Sequence, residues 1–124
     1  MGALLWVGLG GFLGAIARYL LGGWVAARTG AIFPWGTFVI NISGSFILGF
    51  FLAFAQDRPW LHPQARLMFA VGFVGAYTTF STYSYESIRL MMDGQFALAA
   101  FNIVGSVTLG LVAAFAGVAL GSAM

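Results

Sequence analysis

Uncharged hydrogen-bonding residues recur every fourth position in two stretches of this chain: Thr37, Asn41 and Ser45, ending at Gly49, and Asn102, Ser106 and Gly110. Residues at that spacing share one face of a helix. Hydroxyls and amides donate hydrogen bonds without holding a full charge. Such stripes can line a route for a small ion or can hydrogen-bond one helix to another. A route of this kind has no acidic ring to favour cations and no lysine ring to favour bulk anions. It suits a small anion that demands strong hydrogen bonds. Two aromatic residues add to the inventory: Phe80 and Tyr83 stand three apart, so they share a face. Ring edges carry partial positive charge and can receive an anion, although ordinary aromatic packing explains such a pair equally. Arg18 lies in register with Gly10, Gly14 and Gly22. In hydrocarbon it must snorkel, reach a carbonyl or an acid, or face water, as an anchor or as an attractor of anions. Glu86 is an acid near the end of an apolar segment, where it can pair with an arginine or stand at a pore mouth.

These residues are embedded in a chain that has lipid as its solvent. Only 6% of residues are charged and 61% are hydrophobic, whereas a soluble domain has about a quarter charged. No 124-residue core hides that much apolar surface. A span needs roughly 20 apolar residues, and four segments qualify: about 3–27, 34–55, 66–92 and 96–122. The expected fold is therefore an all-α integral membrane protein, one four-span domain over residues 1–124. Trp24, Trp35 and Trp60 fall near span ends, as aromatic belts do. Gly10, Gly14, Gly44 and Gly49 are expected to let helix backbones approach closely. The N-terminal Met1-Gly2-Ala3-Leu4-Leu5-Trp6 lacks a basic run and reads as the start of a retained helix.

Several functions are disfavoured by the same composition. There is no cysteine, one histidine (His62) and three acids, too few for an ordinary metal centre. Five scattered arginines do not make a nucleic-acid patch. No nucleophile and base stand in a recognisable arrangement, so an enzyme is not expected. The glycine run Gly8 to Gly14 lacks the preceding strand and the spacing of a dinucleotide loop.

Two features point to self-association. Arg58 and Arg66 fall on one side of the expected spans, and Arg28 and Arg89 on the other. The positive-inside bias that fixes orientation is nearly absent, so either one or two charges still decide a single orientation or the chain inserts both ways and pairs antiparallel with itself. The run Gly72-Phe73-Val74-Gly75-Ala76-Tyr77-Thr78-Thr79-Phe80-Ser81-Thr82 is poor in helix formers, and its hydroxyls compete for backbone groups. A break is expected near Thr78, close to the centre of the third span. A two-fold axis in the membrane plane would bring two such breaks together, and their freed carbonyls could converge on a dehydrated cation.

At this point the residues resemble a known family. Gly10-Gly11-Phe12-Leu13-Gly14-Ala15-Ile16-Ala17-Arg18-Tyr19, then Trp35-Gly36-Thr37 through Asn41 to Gly44, then Gly75 through Thr78-Thr79-Phe80-Ser81-Thr82 to Glu86, resemble the Fluc (CrcB) fluoride channels over essentially the whole chain. The resemblance implies passive fluoride efflux and fluoride resistance across a bacterial inner membrane. It implies an antiparallel, dual-topology homodimer with two fluoride pores and a central structural sodium held by the carbonyls of Gly75 and Thr78. Asn41, Phe80 and Tyr83 would contact fluoride; Ser81, Thr82, Thr37 and Ser106 would extend a hydroxyl track. Arg18, Glu86 and Asn102 would be accessories. The family commonly has phenylalanine where this chain has Tyr83, which adds a hydroxyl that must be placed.

Two other classes fit a chain of this size. A dual-topology small multidrug exporter relies on a glutamate within its first span, and this chain has no acid there. A structural membrane subunit would use the polar stripes only as helix glue. Its Asn41 and Phe80 substitutions would alter oligomer stability and leave every ion flux untouched.

Overall fold

The computed structural model describes residues 2–124. In chain order it contains α1 (Gly2–Thr29), α2 (Trp35–Gln56), a run of three consecutive helical pieces labelled together α3 (Pro63–Arg66, Leu67–Val74 and Gly75–Tyr77), α4 (Phe80–Met92) and α5 (Phe96–Ala123). No strand occurs among the described residues. Helices α1, α2 and α5 are each long and apolar enough to cross a bilayer. Hydrocarbon offers no partner to a peptide group, so segments this apolar satisfy their backbone internally as helix. Large side chains such as Leu4, Phe12, Leu111 and Phe115 face outward, the surface expected of helices surrounded by lipid.

Helix ends follow local chemistry. α1 ends at Gly30, which takes φ +55°, the left-handed conformation that glycine adopts at a helix end without steric cost. α3 begins at Pro63, ahead of the expected Arg66, because His62 caps it: its Nδ1 accepts from the Gln64 N–H at 3.4 Å, and proline occupies the first turn. Two arginines then tie this connection to the end of α2. Arg66 Nη2 donates to the carbonyls of Ala55 and Arg58 at 2.7 and 2.9 Å. Arg58 donates to Phe54 O at 2.7 Å and Met124 O at 2.8 Å, with its guanidinium 3.7 Å from the Phe54 ring centre. Cations are favoured there by the partial negative charge of a helix C-terminus.

Backbone-to-backbone contacts organise the subunit, among them Gly36 of α2 against the Gly22 carbonyl of α1. Gly10 and Gly14 of α1 lie on α3, where a Cβ would strike the Met68 and Phe73 carbonyls respectively. On the other side α2 lies on α5: a Cβ on Gly49 would stand 2.5 Å from the Ala114 carbonyl, and Gly117 and Gly121 press on the Phe46 and Phe50 carbonyls. Without a hydrophobic force between helices in lipid, such close approach is what gains dispersion energy.

The middle piece of α3, Leu67–Val74, is wound as a π-helix, which bonds i to i+5. Along it Phe69, Phe73 and Tyr77 stack with centroid separations of 5.6 and 5.9 Å, and Phe51 of α2 tilts onto Phe69 at 4.7 Å. A second aromatic group, Phe33, Trp35, Phe38 and Phe101, closes the opposite end around Leu90 and Ala99.

Candidate functional site

The third apolar segment breaks where its glycine, threonine and serine content predicts. Thr78 (φ −87°, ψ 158°) and Thr79 (φ −149°, ψ 120°) are extended between α3 and α4. In a continuous helix the Gly75 carbonyl would accept from the Thr79 N–H, and the Thr78 carbonyl from the Thr82 N–H. Both hydrogens go elsewhere. The Thr79 N–H donates to Asn41 Oδ1 at 2.8 Å, and the Thr82 N–H donates to Thr79 Oγ1 at 3.3 Å. The carbonyls of Gly75 and Thr78 are thereby released from the helical ladder, and that of Tyr77 loses the Ser81 N–H at the same break.

Neighbouring side chains hold the remaining groups of the break. Asn41 Nδ2 donates to the Thr79 carbonyl at 3.0 Å, so one amide grips both backbone groups of one residue. Arg18 Nε donates to the Ala76 carbonyl at 3.2 Å; this arginine meets its membrane cost with a carbonyl. Thr78 Oγ1 donates to Val74 O at 3.0 Å, and its methyl sits where a Cβ on Gly44 would be. Ser43 donates to Ile40 O at 3.1 Å, which leaves the Tyr77 hydroxyl to donate to Ser43 Oγ at 2.9 Å. The flank of Gly75 is open, with nothing within 4 Å of a Cβ built there.

Beside the break is a groove of about 280 Å³ bordered by Asn41, Ser45, Thr78, Phe80, Tyr83 and Ser106. Phe80 and Tyr83 have ring centres 5.7 Å apart, tilted by 47°. Phe80 is 79% exposed, so its edges are unoccupied by the subunit's own core. The additional hydroxyl of Tyr83 donates to Ile103 O at 2.9 Å. Behind the groove, Ser106 Oγ donates to Asn102 Oδ1 at 3.2 Å, Asn102 Nδ2 to Ser87 Oγ at 2.9 Å, and Ser87 Oγ to Tyr83 O at 2.9 Å. Asn102 is buried and borders neither cavity. Thr82 is half-buried, its hydroxyl accepting from Thr79 Oγ1 at 3.1 Å, whereas Ser81 is exposed.

Arg18, Thr37 and Glu86 border a separate cavity of about 510 Å³ between α1, α2 and α4. Glu86 Oε1 is buried there without a hydrogen-bond partner. Thr79 borders both cavities. The break therefore divides the sequence-derived site residues into a hydroxyl-and-ring group and a charged group. Gly10, Gly14 and Gly49 lie away from both cavities, at helix contacts, while Gly44 borders the groove.

A cation at this site would meet main-chain oxygens and uncharged side chains. Among the described residues no three His, Cys, Asp or Glu side chains cluster as metal ligands. The Gly75 and Thr78 carbonyls are hard oxygen donors of the type that replace an ion's hydration shell. They suit a small alkali cation, and a second copy would be required to complete its shell.

Sequence reasoning did not single out Thr79, Ser43, Tyr77 or Ser87 as site residues. Thr79 carries a local signal, since threonine is a favoured helix N-cap and the N–H it accepts lies three residues on. The others find partners across helices, where spacing along the chain says nothing.

Together these features define a multi-pass membrane protein with one helix interrupted beside a polar groove. The family described as CrcB-like protein, Camphor Resistance (CrcB), matches residues 5–118, and this chain belongs to it. Among curated proteins it is similar to the fluoride-specific ion channel FluC of Koribacter versatilis, 50% identical over 88% of this chain and 86% of the relative. The protein of the same name from Acidobacterium capsulatum is 45% identical over 95% and 94%. That from Rhizobium meliloti is 44% identical over 100% and 99%.

Proposed function

We propose that this chain is the subunit of a fluoride-selective channel for passive fluoride efflux, acting as an antiparallel dual-topology homodimer in a bacterial inner membrane. Each dimer carries two fluoride pores and a central sodium ion. The observation that carries the reading is the break at Thr78 and Thr79, which releases the Gly75 and Thr78 carbonyls, among others, beside a groove of uncharged polar side chains and aromatic rings. The names of the relatives, fluoride-specific ion channels of nearly the same length, supply the ion.

Fluoride is small and strongly hydrated, so a pore must replace its water with comparable donors and still let it leave. Asn41 has one Nδ2 hydrogen left after its bond to Thr79. The exposed edge of Phe80, with the half-buried Tyr83 ring beside it, offers further partial positive charge without a trapping cation. The Ser106 hydroxyl joins them only by turning its one hydrogen away from Asn102 Oδ1. Gly75 and Thr78 hold sodium through their carbonyls; the ion offsets repulsion between those oxygens and adds positive potential at the centre. The open flank of Gly75 is where the second subunit brings its own break.

The test is fluoride release from liposomes containing the purified protein. Fluoride efflux with chloride retained is the expected outcome. Chloride passing as readily would end the selectivity assignment, and no flux would end the channel assignment.

A further inference from the structure

We infer that Asn41 and Thr79 are positioning residues for the central cation: their side-chain oxygens capture the two amide hydrogens that would otherwise occupy the carbonyls of Gly75 and Thr78. The inference rests on the channel reading above and gives the Thr79 helix cap a role toward the cation.

The geometry is specific about which donors are diverted. A helix broken by threonine content alone would free a scatter of carbonyls, each left to find its own partner. Of the carbonyls from Gly75 to Thr78 that the break parts from their helical donors, that of Ala76 is reclaimed by Arg18 at 3.2 Å. Gly75 and Thr78 are set apart from Tyr77 in that side chains hold the very N–H groups that would have covered them. The Thr79 N–H is held by Asn41 Oδ1 and the Thr82 N–H by Thr79 Oγ1, at 2.8 and 3.3 Å. Asn41 Nδ2 also grips the Thr79 carbonyl at 3.0 Å. The two acceptors are coupled, because the bond from Asn41 fixes the Thr79 backbone that aims Thr79 Oγ1 at the Thr82 amide. If either acceptor is lost, the freed N–H can return to its helical carbonyl, which then competes with the cation. Gly44 takes part by default, since a side chain there would displace the Thr78 methyl.

The test measures sodium directly. Thermal stability of the purified protein in detergent is titrated with sodium. A ligand at free concentration c that binds only the folded state raises its stability by RT ln(1 + c/Kd), and the Kd fitted to that curve is the sodium midpoint. Fluoride flux from liposomes is titrated with sodium alongside. Wild type should show both dependences; flux without sodium dependence would sink the cation reading itself, and absent flux the channel reading. Thr79→Ala should raise the sodium midpoint of the thermal titration about tenfold, equivalent to about 1.4 kcal/mol. Thr79→Ser, which keeps the acceptor, should stay near wild type. Should the alanine protein not fold, Thr79→Cys, a weak acceptor, should move the midpoint in the same direction by less. Arg58→Ala, remote from the break, should lower stability and leave the midpoint in place. A Thr79→Ala or Thr79→Cys protein that is destabilised with an unchanged sodium midpoint overturns the inference and leaves Thr79 as an ordinary helix cap.

Discussion

α3 lies backbone against backbone on α1 through Gly10, Gly14 and Gly72, whereas α4 is tied to its neighbours largely by polar side chains. The first half is stiffened by its run of stacked rings from Phe69 to Tyr77. The second half turns Phe80, Tyr85, Ile88 and Met92 outward and is held by the Tyr83 hydroxyl, by the chain from Ser87 to Asn102 and, near its end, by Leu90 buried in the aromatic cluster. Close backbone fit fixes one half; directional bonds, with one buried leucine, hold the other. The break between them joins an anchor to an arm.

Gly14→Leu attacks the anchor and should have the largest effect. Its side chain would enter the space of the Phe73 backbone, and overpacking of that kind costs about 1–3 kcal/mol even where neighbours can move. Backbone cannot move so easily, so the expected result is loss of monodisperse protein on size exclusion. Asn102→Leu attacks the arm. It deprives Ser106 of its acceptor and Ser87 of a donor, and buried bonds between membrane helices are worth about 1–2 kcal/mol. The variant should fold, unfold earlier in a detergent denaturation series, and show little additive loss when combined with Ser87→Ala. Tyr83→Phe should be the mildest. It removes one partly exposed bond to Ile103 and keeps the ring, at about 0.5 kcal/mol, so fluoride flux should stay within about twofold of wild type. A large loss of flux in Tyr83→Phe would mean that the hydroxyl itself, and not the ring edge, meets the ion.

The anchor and the arm were not equally legible in the sequence. The apolar lengths located α1, α2 and α5, and the run from Gly72 to Thr82 located the break, because glycine and hydroxyl residues weaken a helix wherever they occur. The π-winding of Leu67–Val74 was not legible: the residues are uniformly apolar, and nothing in them distinguishes i+4 from i+5 bonding. Polar spacing placed Asn41 and Ser106 on helix faces, and both border the groove. The same spacing placed Asn102 with Ser106, yet the structure buries Asn102 behind the groove. A face one residue wide cannot say on which side of it the neighbouring helix lies. The grip of Asn41 on Thr79 spans 38 residues, beyond the reach of any local pattern.

The bare flank of Gly75 has a genetic consequence. If the carbonyls at that surface belong to a centre shared by two copies, a damaged copy spoils its intact partner too. An allele altered at Thr79, co-expressed with the normal one, would behave as dominant, and sensitivity of the host to the toxic halide would exceed what halving the gene dose produces.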